Sequence, residues 1–522
     1  MIPQKETENT RVVKAAWVVG LATLLSRVFG FIRDVVVAGF FGAGLATDAF
    51  FVAFRIPNLL RRLFAEGSLT IAFIPVFTEY LKKKSREEAL ELASIAFTLL
   101  SIVLAVVSVA GILLSPWIVR VMAPGFSDVP DKYALTVFLT RLMFPYIFFI
   151  SLVALCMGIL NSLRHFAAPA LAPVVLNICM IASVFALRGF FADPILSLAV
   201  GVMAGGILQL AMQFPFLLRV GVRLKPNFYF NHPGIKRIGL LMLPAVFGAA
   251  VYQASIFIGT ILASLLPGGS VSYLYYADRV VQLPLGVFAI AVGTAALPSF
   301  SEQAAGGDYE RLKRTISFSL RLILFVTIPS MVALIILRVP IISVLFQRGQ
   351  FDAASTVFTA QALLYYAVGL WAFSCIRVVV SAFYALQDTR TPVKIAVVAL
   401  LVNVVMSVAL MFPMRHSGLA LATSIASAVN IIVLAVILKK RVGQFLRKDF
   451  WTSVSRTILA SGVMGVSIGA VHATLGWNSE AALGARLLFL VVAITVGLAV
   501  FALSSFILGG SEVKALLRMK RG

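Results

Sequence analysis

The sequence predicts an all-α integral membrane protein with fourteen transmembrane helices. Hydrophobic residues make up 61% of the 522 residues and charged residues only 12%, and the mean hydropathy is +1.00. A soluble protein has roughly 45–50% apolar and about 25% charged residues, so this composition excludes a soluble fold. The apolar residues form runs of roughly 20 residues or more, the length that a helix needs to cross a bilayer core of about 30 Å. Barrel strands would be about ten residues long and would alternate.

Fourteen apolar runs can be placed along the chain. They span 15–38, 45–64, 90–114, 134–160, 170–188, 194–218, 238–265, 272–298, 316–337, 356–385, 393–412, 417–438, 453–474 and 483–508. The first run is too long for the apolar part of a signal peptide, so we expect no cleaved signal. Cys156, Cys179 and Cys375 lie within the runs without metal-ligand spacing, so we expect neither a disulfide framework nor a metal site.

The basic residues predict the orientation of the chain. Lys and Arg number 44 against 21 Asp and Glu, a net charge of +23. A nucleic-acid binder would concentrate this charge on a wet surface, whereas here it separates the apolar runs, so no nucleic-acid partner is expected. With the N-terminus inside, 29 Lys and Arg fall in inside segments and six in outside segments. Basic residues favour the cytoplasmic side, so both termini are predicted to be cytoplasmic.

An internal repeat divides the chain. Residues 75–79 read Pro-Val-Phe-Thr-Glu, and residues 298–302, which lie 223 positions later, read Pro-Ser-Phe-Ser-Glu. The same offset relates Pro169 to Pro392, each near the start of the next apolar run. The offset spans an even number of helices, so the two halves have the same orientation, with a pseudo-two-fold axis along the membrane normal and substrate between them. The predicted segments are a six-helix lobe, a second six-helix lobe and a terminal helix pair, at 1–225, 226–445 and 446–522.

Charged side chains lie within or at the ends of three predicted helices, although each costs about 2.5–3.5 kcal/mol at the bilayer centre. They are Arg27, Arg33 and Asp34 in the first helix, Asp48, Arg55, Arg61, Arg62 and Glu66 in the second, and Asp278 and Arg279 in the eighth. Such residues persist where they face water or a partner. Arginine exceeds carboxylate in this set, and the planar guanidinium suits phosphate oxygens, so the pattern predicts an anionic ligand.

Local neutralisation is the alternative interpretation of these charges. Arg33 and Asp34 are adjacent, as are Asp278 and Arg279, and Arg62 and Glu66 form an i,i+4 pair. Arg27 has no carboxylate within four residues in either direction. Arg27 is therefore the residue for which the alternative is weakest.

Several sequence blocks resemble the MurJ (MviN) family of bacterial lipid II flippases, and the resemblance covers essentially the whole chain. The blocks are Ser26-Arg27…Gly30-Phe31…Arg33-Asp34, Gly42-Ala43-Gly44…Thr47-Asp48-Ala49-Phe50…Pro57-Asn58-Leu59-Leu60-Arg61-Arg62…Ala65-Glu66-Gly67, Tyr275-Tyr276-Ala277-Asp278-Arg279 and Gln387-Asp388-Thr389-Arg390-Thr391-Pro392-Val393-Lys394. The resemblance implies the multidrug/oligosaccharidyl-lipid/polysaccharide (MOP) exporter superfamily, with two six-helix lobes that form a V around a central cavity. In this family the terminal helix pair contributes a groove for the lipid tail.

The resemblance also implies a substrate and its binding residues. The substrate is undecaprenyl-pyrophosphate-linked disaccharide pentapeptide, moved from the inner to the outer leaflet of the bacterial cytoplasmic membrane by alternating access. The implied substrate-binding residues are Arg27, Arg33, Arg61 and Arg279, and Asp48 is a further position of interest. From the charge pattern we expect supporting or gating positions at Asp34, Asp48, Arg55, Arg62, Glu66 and Asp278. Helical spacing alone selects Arg62 rather than Arg61, so Arg61 rests on the resemblance. The bilayer and lipid II are the expected partners. Whether other cell-wall synthesis or division proteins also bind is left open.

The sequence leaves three alternatives to a lipid II flippase. A related flippase could carry another lipid-linked oligosaccharide. A multidrug or cation antiporter would need carboxylates for the cation, whereas these charges are net basic. An enzyme that acts on polyprenyl phosphates would need a carboxylate cluster for Mg²⁺ or an acid–base pair, and the short basic loops offer neither.

A cation site is not expected either. Asn403 and Ser407 share a helix face, but their helix has no Asp or Glu. We therefore expect neither a cofactor nor a strong cation site, and the sequence does not identify the source of energy for transport.

Overall fold

The computed structural model describes residues 8–62, 69–509 and 512. All regular elements in these ranges are helical. Nine helical stretches in the described ranges, with Pro130–Ser162 taken as one, are long and apolar enough to cross a membrane, or ten if the bent pair Ala353–Val368 and Leu370–Ala385 is one span. The prediction of an all-helical, multi-spanning membrane protein is confirmed, and the number fourteen stays a prediction.

Nineteen α-helices occur within the described ranges. They are α1 Glu8–Phe41, α2 Leu45–Leu60, α3 Thr70–Lys83, α4 Arg86–Met122, α5 Pro130–Met143, α6 Tyr146–Ser162, α7 Ala167–Leu187, α8 Leu196–Arg219, α9 Pro233–Ser264, α10 Ser270–Pro284, α11 Ile290–Ala305, α12 Tyr309–Ile336, α13 Arg338–Phe346, α14 Ala353–Val368, α15 Leu370–Ala385, α16 Arg390–Met414, α17 His416–Val442, α18 Lys448–Leu475 and α19 Leu483–Ile507.

Several of the predicted runs are broken helices. The run 134–160 consists of α5 and α6, which meet at Phe144 and Pro145. The run 272–298 consists of α10 and α11, separated by a π-helical turn at Leu285–Ala289 directly after Pro284. Proline removes a backbone donor and bends a helix, and π-helical turns recur at functional sites. The break therefore directs attention to α10, which carries Asp278 and Arg279.

The helix bounds repeat with the offset found in the sequence. When shifted by 223 positions, α1 falls on 231–264, and α9 spans Pro233–Ser264. In the same way α5 and α6 fall on 353–366 and 369–385, which match α14 and α15. Arg164 after α6 and Gln387 after α15 share the offset, and both have a left-handed backbone, with φ of 61° and 57°. This conformation is uncommon in non-glycine residues, so its recurrence supports the internal repeat.

The chain forms two compact units, Met1–Leu265 and Leu266–Gly522. In the first unit, α1 packs on α7, α2 on α5, and α9 on α3 and α4. In the second unit, α15 is the central helix and contacts α11, α12 and α17 around buried residues such as Val379 and Phe383. The helices α18 and α19 pack beside α12 through Phe325, Met464 and Phe501. The boundaries of the three predicted sequence segments stay a prediction.

Candidate functional site

Arg33 is buried among partners within the first unit. It is 8% exposed, and its Nε and Nη2 donate to Asp34 Oδ1 at 3.1 Å and 2.7 Å. Its Nη1 donates to Asn177 Oδ1 at 3.0 Å, and Asn177 Nδ2 donates to the carbonyl oxygen of Ser26 at 3.3 Å. Since Asn177 belongs to α7, this network fixes α1 against α7. The geometry supports the interpretation of Arg33 and Asp34 as a locally neutralised pair.

Arg27 has a different environment although it lies on the same helix. Its side chain is exposed, and no hydrogen bond or ion pair joins it to any part of the chain that the structure describes. The guanidinium group of Arg27 therefore keeps its N–H donors available for a ligand. Arg27 is therefore the predicted site residue in α1 that is most open to a substrate.

Asp48 forms a buried ion pair that the sequence did not predict. Its Oδ2 lies 2.8 Å from Lys132 Nζ, and the two residues are 1% and 5% exposed. The ammonium group also lies 3.9 Å from the centroid of the Phe126 ring, a cation–π contact. The pair joins the start of α2 to the start of α5. Lys132 resembled an ordinary loop lysine in the sequence, because the residue that it pairs with is 84 positions away.

Arg55 forms a contact between helices, whereas Arg61 and Arg62 lie just after the end of α2. Arg55 Nη1 donates to Thr260 Oγ1 at 2.6 Å, which joins α2 to α9, and Thr260 is fully buried. Arg61 is half-buried and Arg62 is exposed, directly after α2. Glu66 lies outside the described residues, so its pairing with Arg62 stays a prediction.

Asp278 and Arg279 lie on the partly exposed side of α10 in the second unit. Tyr276 fixes the opposite side of the helix, because it is fully buried and its ring lies 5.0 Å from Phe346 and 5.4 Å from Phe351. The Arg279 guanidinium lies 5.4 Å from the centroid of the Tyr275 ring, and Gln282 Nε2 donates to Asp278. The spacing of these residues places an arginine, a carboxylate and an aromatic ring on one polar stripe.

Arg377 is a candidate that sequence reasoning did not single out. On α15 only Arg377 and Tyr384 are exposed, and Ser381 Oγ donates to the carbonyl oxygen of Gly293 beside them at 3.2 Å. The exposed face of α16 is different, since it carries Leu401, Val405 and Phe412. A polar face on an otherwise buried helix indicates contact with water rather than with hydrocarbon. A signal was present in the sequence, because Arg377 is an arginine within a predicted span.

Comparison with known proteins decides the family. The family model described as lipid II flippase MurJ matches residues 37–485. The chain belongs to the MurJ family. The relatives of this MurJ chain include the probable lipid II flippase MurJ of Buchnera aphidicola subsp. Acyrthosiphon pisum, 39% identical over 88% of this chain and 90% of that protein. The probable lipid II flippase MurJ of Vibrio cholerae is 37% identical over 88% of this chain and 89% of that protein.

Solved structures agree with this assignment. A lipid II flippase MurJ in an inward closed conformation is 27% identical to this MurJ chain, with a TM-score of 0.79, over 94% of this chain and 98% of that protein. An inward-facing multidrug resistance MATE family transporter of the MOP superfamily has a TM-score of 0.65 at 14% identity, over 83% of this chain and 99% of that protein, which shows the fold alone. The predicted family resemblance is confirmed, and this MurJ chain is a multi-pass protein of the inner membrane.

The described side chains offer no metal site in this MurJ chain. Within the described ranges, no group of three or more His, Cys, Asp and Glu is arranged to hold a metal ion. In the polar cluster of α16 and α17, Asn403 Nδ2 donates to Thr423 Oγ1 at 3.3 Å. The chemistry that the candidate residues offer is the binding of an anion by guanidinium groups.

Proposed function

We infer that this MurJ family member is a flippase for lipid II. The observation that carries the inference is the family match over residues 37–485, together with curated relatives that are 39% and 37% identical over most of their length. The chain is a transporter, and its substrate is lipid II. We propose that it carries the molecule from the inner to the outer leaflet by alternating access and leaves its covalent structure unchanged.

The chemistry of the substrate explains why the chain needs buried and exposed arginines. A pyrophosphate and two sugars cannot cross hydrocarbon without help, whereas a polyprenyl tail can stay in the lipid. Arg27 supports the proposal because its guanidinium group is exposed and lacks a partner in the described ranges. Arg279 and Arg377 support it because each lies on a polar stripe of its own helix. Guanidinium groups bind phosphate oxygens in pairs of parallel hydrogen bonds.

We propose two kinds of role for the candidate residues. The first group contacts the substrate: Arg27, Arg61, Arg279 and Arg377. Arg33 belongs to the site as well, but its donors already bind Asp34 and Asn177, so it acts first by positioning α1. The supporting residues hold the helices or the entrance to the site: Asp34, Asp48, Arg55, Arg62, Glu66 and Asp278.

The proposed topology has fourteen transmembrane helices and both termini in the cytoplasm. Segments 1–225 and 226–445 form the two six-helix lobes of a V, and 446–522 forms the terminal pair. The repeat of helix bounds at a constant offset supports the equivalence of the two lobes. The 29-to-6 distribution of Lys and Arg supports the orientation. Reporter fusions that place residue 45 or residue 268 in the cytoplasm would contradict this topology.

Reconstitution tests the proposed function directly. The purified chain in vesicles is expected to expose added lipid II on the opposite leaflet, as measured by the access of a water-soluble lectin or enzyme. Mass spectrometry of the recovered lipid is expected to show an unchanged molecule. Transport of an organic cation without movement of lipid II would instead support the antiporter alternative. Imposing a membrane potential and an ion gradient separately would identify the driving force.

A further inference from the structure

The linker between α8 and α9, residues 220–232, follows the surface of α4. Arg86 at the start of α4 donates to the carbonyl oxygen of Val220. The backbone N–H of Lys225 donates to Ser94 Oγ at 3.4 Å, and that of Asn227 donates to Thr98 Oγ1 at 3.0 Å. Side-chain hydroxyl groups of α4 therefore accept hydrogen bonds from backbone groups of the linker, so that the linker is fixed along α4.

Successive residues of the linker contact positions progressively further along α4, and the chain then runs back toward the start of α4. From Arg86 to Thr98 they cover about 18 Å, at about 1.5 Å per residue of helix. The chain has turned back by Gly234, where an added Cβ would lie 2.8 Å from Leu92 Cδ1. The segment Phe228–Phe230 is therefore the deepest part of the linker. It lies near Thr98, beyond the point where α4 changes from the charged residues within 86–91 to an apolar sequence.

Three consecutive aromatic side chains are exposed at this deepest point. Phe228, Tyr229 and Phe230 are 67%, 55% and 36% exposed. The rings of Phe228 and Phe230 contact edge to face with centroids 6.0 Å apart, and the ring of Tyr229 lies 6.0 Å from that of His232. Aromatic side chains are enriched where hydrocarbon meets lipid headgroups. Contact with lipid would therefore explain why three consecutive aromatic side chains are exposed here on a membrane protein.

Positive charge surrounds the aromatic residues. Arg223, Lys225 and Lys236 are exposed, and none of these side chains forms an ion pair within the described ranges. Arg237 differs, because its Nη1 lies 2.8 Å from Glu79 Oε2. One carboxylate is close, because Asn227 Nδ2 donates to Glu91 Oε1 at 3.5 Å, and it offsets part of this charge. The three cations still leave a net positive potential at the level of the headgroups, and anionic lipids are attracted to such a potential.

We propose that this linker is a binding site for anionic phospholipid. The aromatic residues Phe228, Tyr229 and Phe230 enter the boundary between acyl chains and headgroups, and Arg223, Lys225 and Lys236 bind lipid phosphates. In the proposed orientation this is the cytoplasmic leaflet. The site tethers the connection between the two sequence repeats to the membrane, and it does not depend on the identity of the transported lipid.

Quenching of a local fluorophore by brominated lipids tests the proposal. The full chain carrying Phe228→Trp is placed in phosphatidylcholine vesicles with a small fraction of brominated phosphatidylglycerol or brominated phosphatidylcholine, and the signal of the five native Trp is subtracted. We expect brominated phosphatidylglycerol to quench about two-fold more strongly at low salt, with a smaller difference at high salt. Tyr229→Trp serves as the reporter if Phe228→Trp does not fold.

Matched charge variants distinguish this site from general attraction to a basic protein. The triple substitution Arg223→Ala, Lys225→Ala and Lys236→Ala is expected to make quenching by the two lipids equal. The control removes the same charge elsewhere, at the exposed residues Lys439, Lys440 and Lys448, and should keep the preference. Equal quenching in the parent chain would overturn the proposal. Quenching by aqueous iodide rather than by lipid would also overturn it and would leave the linker available to an acidic protein.

Discussion

Lys132 and Asp48 form an ion pair 2.8 Å long that is almost completely shielded from solvent. The two side chains lie at the starts of α5 and α2, so the pair fixes the relative position of these helix ends. Asp48 is a predicted supporting residue, and the structure gives it a partner inside the first unit. The contact holds the start of α2 against α5, and further along α2 Arg55 reaches α9.

Removing one member of this pair should be more harmful than removing both. Asp48→Asn or Lys132→Met leaves one buried charge without compensation, which costs about 3–5 kcal/mol. The double variant removes both charges and should recover part of that loss. Thermal unfolding of the purified variants measures the difference. If the effects of the single substitutions simply add, the two residues do not stabilise the chain as a pair.

Arg27 tests whether geometry or charge alone holds the pyrophosphate. Arg27→Ala should reduce lipid II flipping at least about tenfold, since a charge-assisted contact contributes about 1.5–3 kcal/mol. Arg27→Lys keeps the charge but loses the paired donors, so we expect impairment there as well. Complementation of a flippase-depleted strain, with membrane levels checked, measures both variants. Arg120→Ala, an exposed arginine in α4, is the control, and normal growth with well-expressed Arg27→Ala would remove Arg27 from the site.

Asn177 tests the positioning role of Arg33. Asn177→Ala removes the acceptor for Arg33 Nη1 and should destabilise the chain by about 1–3 kcal/mol. Arg33→Ala should destabilise it too, and the double variant should lose less than the sum, because the residues share one network. Thermal unfolding provides the values for this cycle. Strict additivity, together with loss of flipping in Arg33→Ala alone, would identify Arg33 as a direct substrate contact instead.

Asp388, in the loop before α16, should make stability depend on acid pH. Burial raises the pKa of this carboxyl group, but hydrogen bonds from Thr391 and Arg390 and the charge of Arg441 outweigh it, so the pKa is lowered overall. A lowered pKa contributes stability that is fully present above the unfolded value of about 3.9 and is lost as the pH falls through the folded value.

The expected result is a pH-dependent difference between the parent chain and Asp388→Asn. The unfolding temperature of the variant should be lower by a constant amount between about pH 5 and 8, and the difference should shrink below about pH 4. Asp449→Asn, which changes an exposed carboxylate in the first turn of α18, is the control. A difference that grows in acid would contradict the assigned direction.

The sequence predicted the helices and the local pairs better than the distant contacts. The neutralised pair of Arg33 and Asp34 was a stated alternative, because adjacency in the chain makes it visible. Asn177 lies 144 positions from Arg33, and no periodicity connects the two. The pairing of Lys132 with Asp48 could not be predicted for the same reason, since the two residues are 84 positions apart. Broken helices such as α10 and α11 were merged into one run, since hydropathy measures apolar length and does not detect a bend.

The conserved offset in helix bounds contrasts with charges that are not conserved between the repeats. The positions 223 residues after Arg27, Arg33 and Asp48 hold Ala250, Ile256 and Val271, and Ser355 occupies the position that corresponds to Lys132. A homodimer of one ancestral half would have to carry each of these charges twice. A single chain has no such requirement, and each half carries charges of its own: Arg279 and Arg377 in the second half correspond to Ile56 and Ala154 in the first. Each half can therefore change its charged side chains without the same change in the other half.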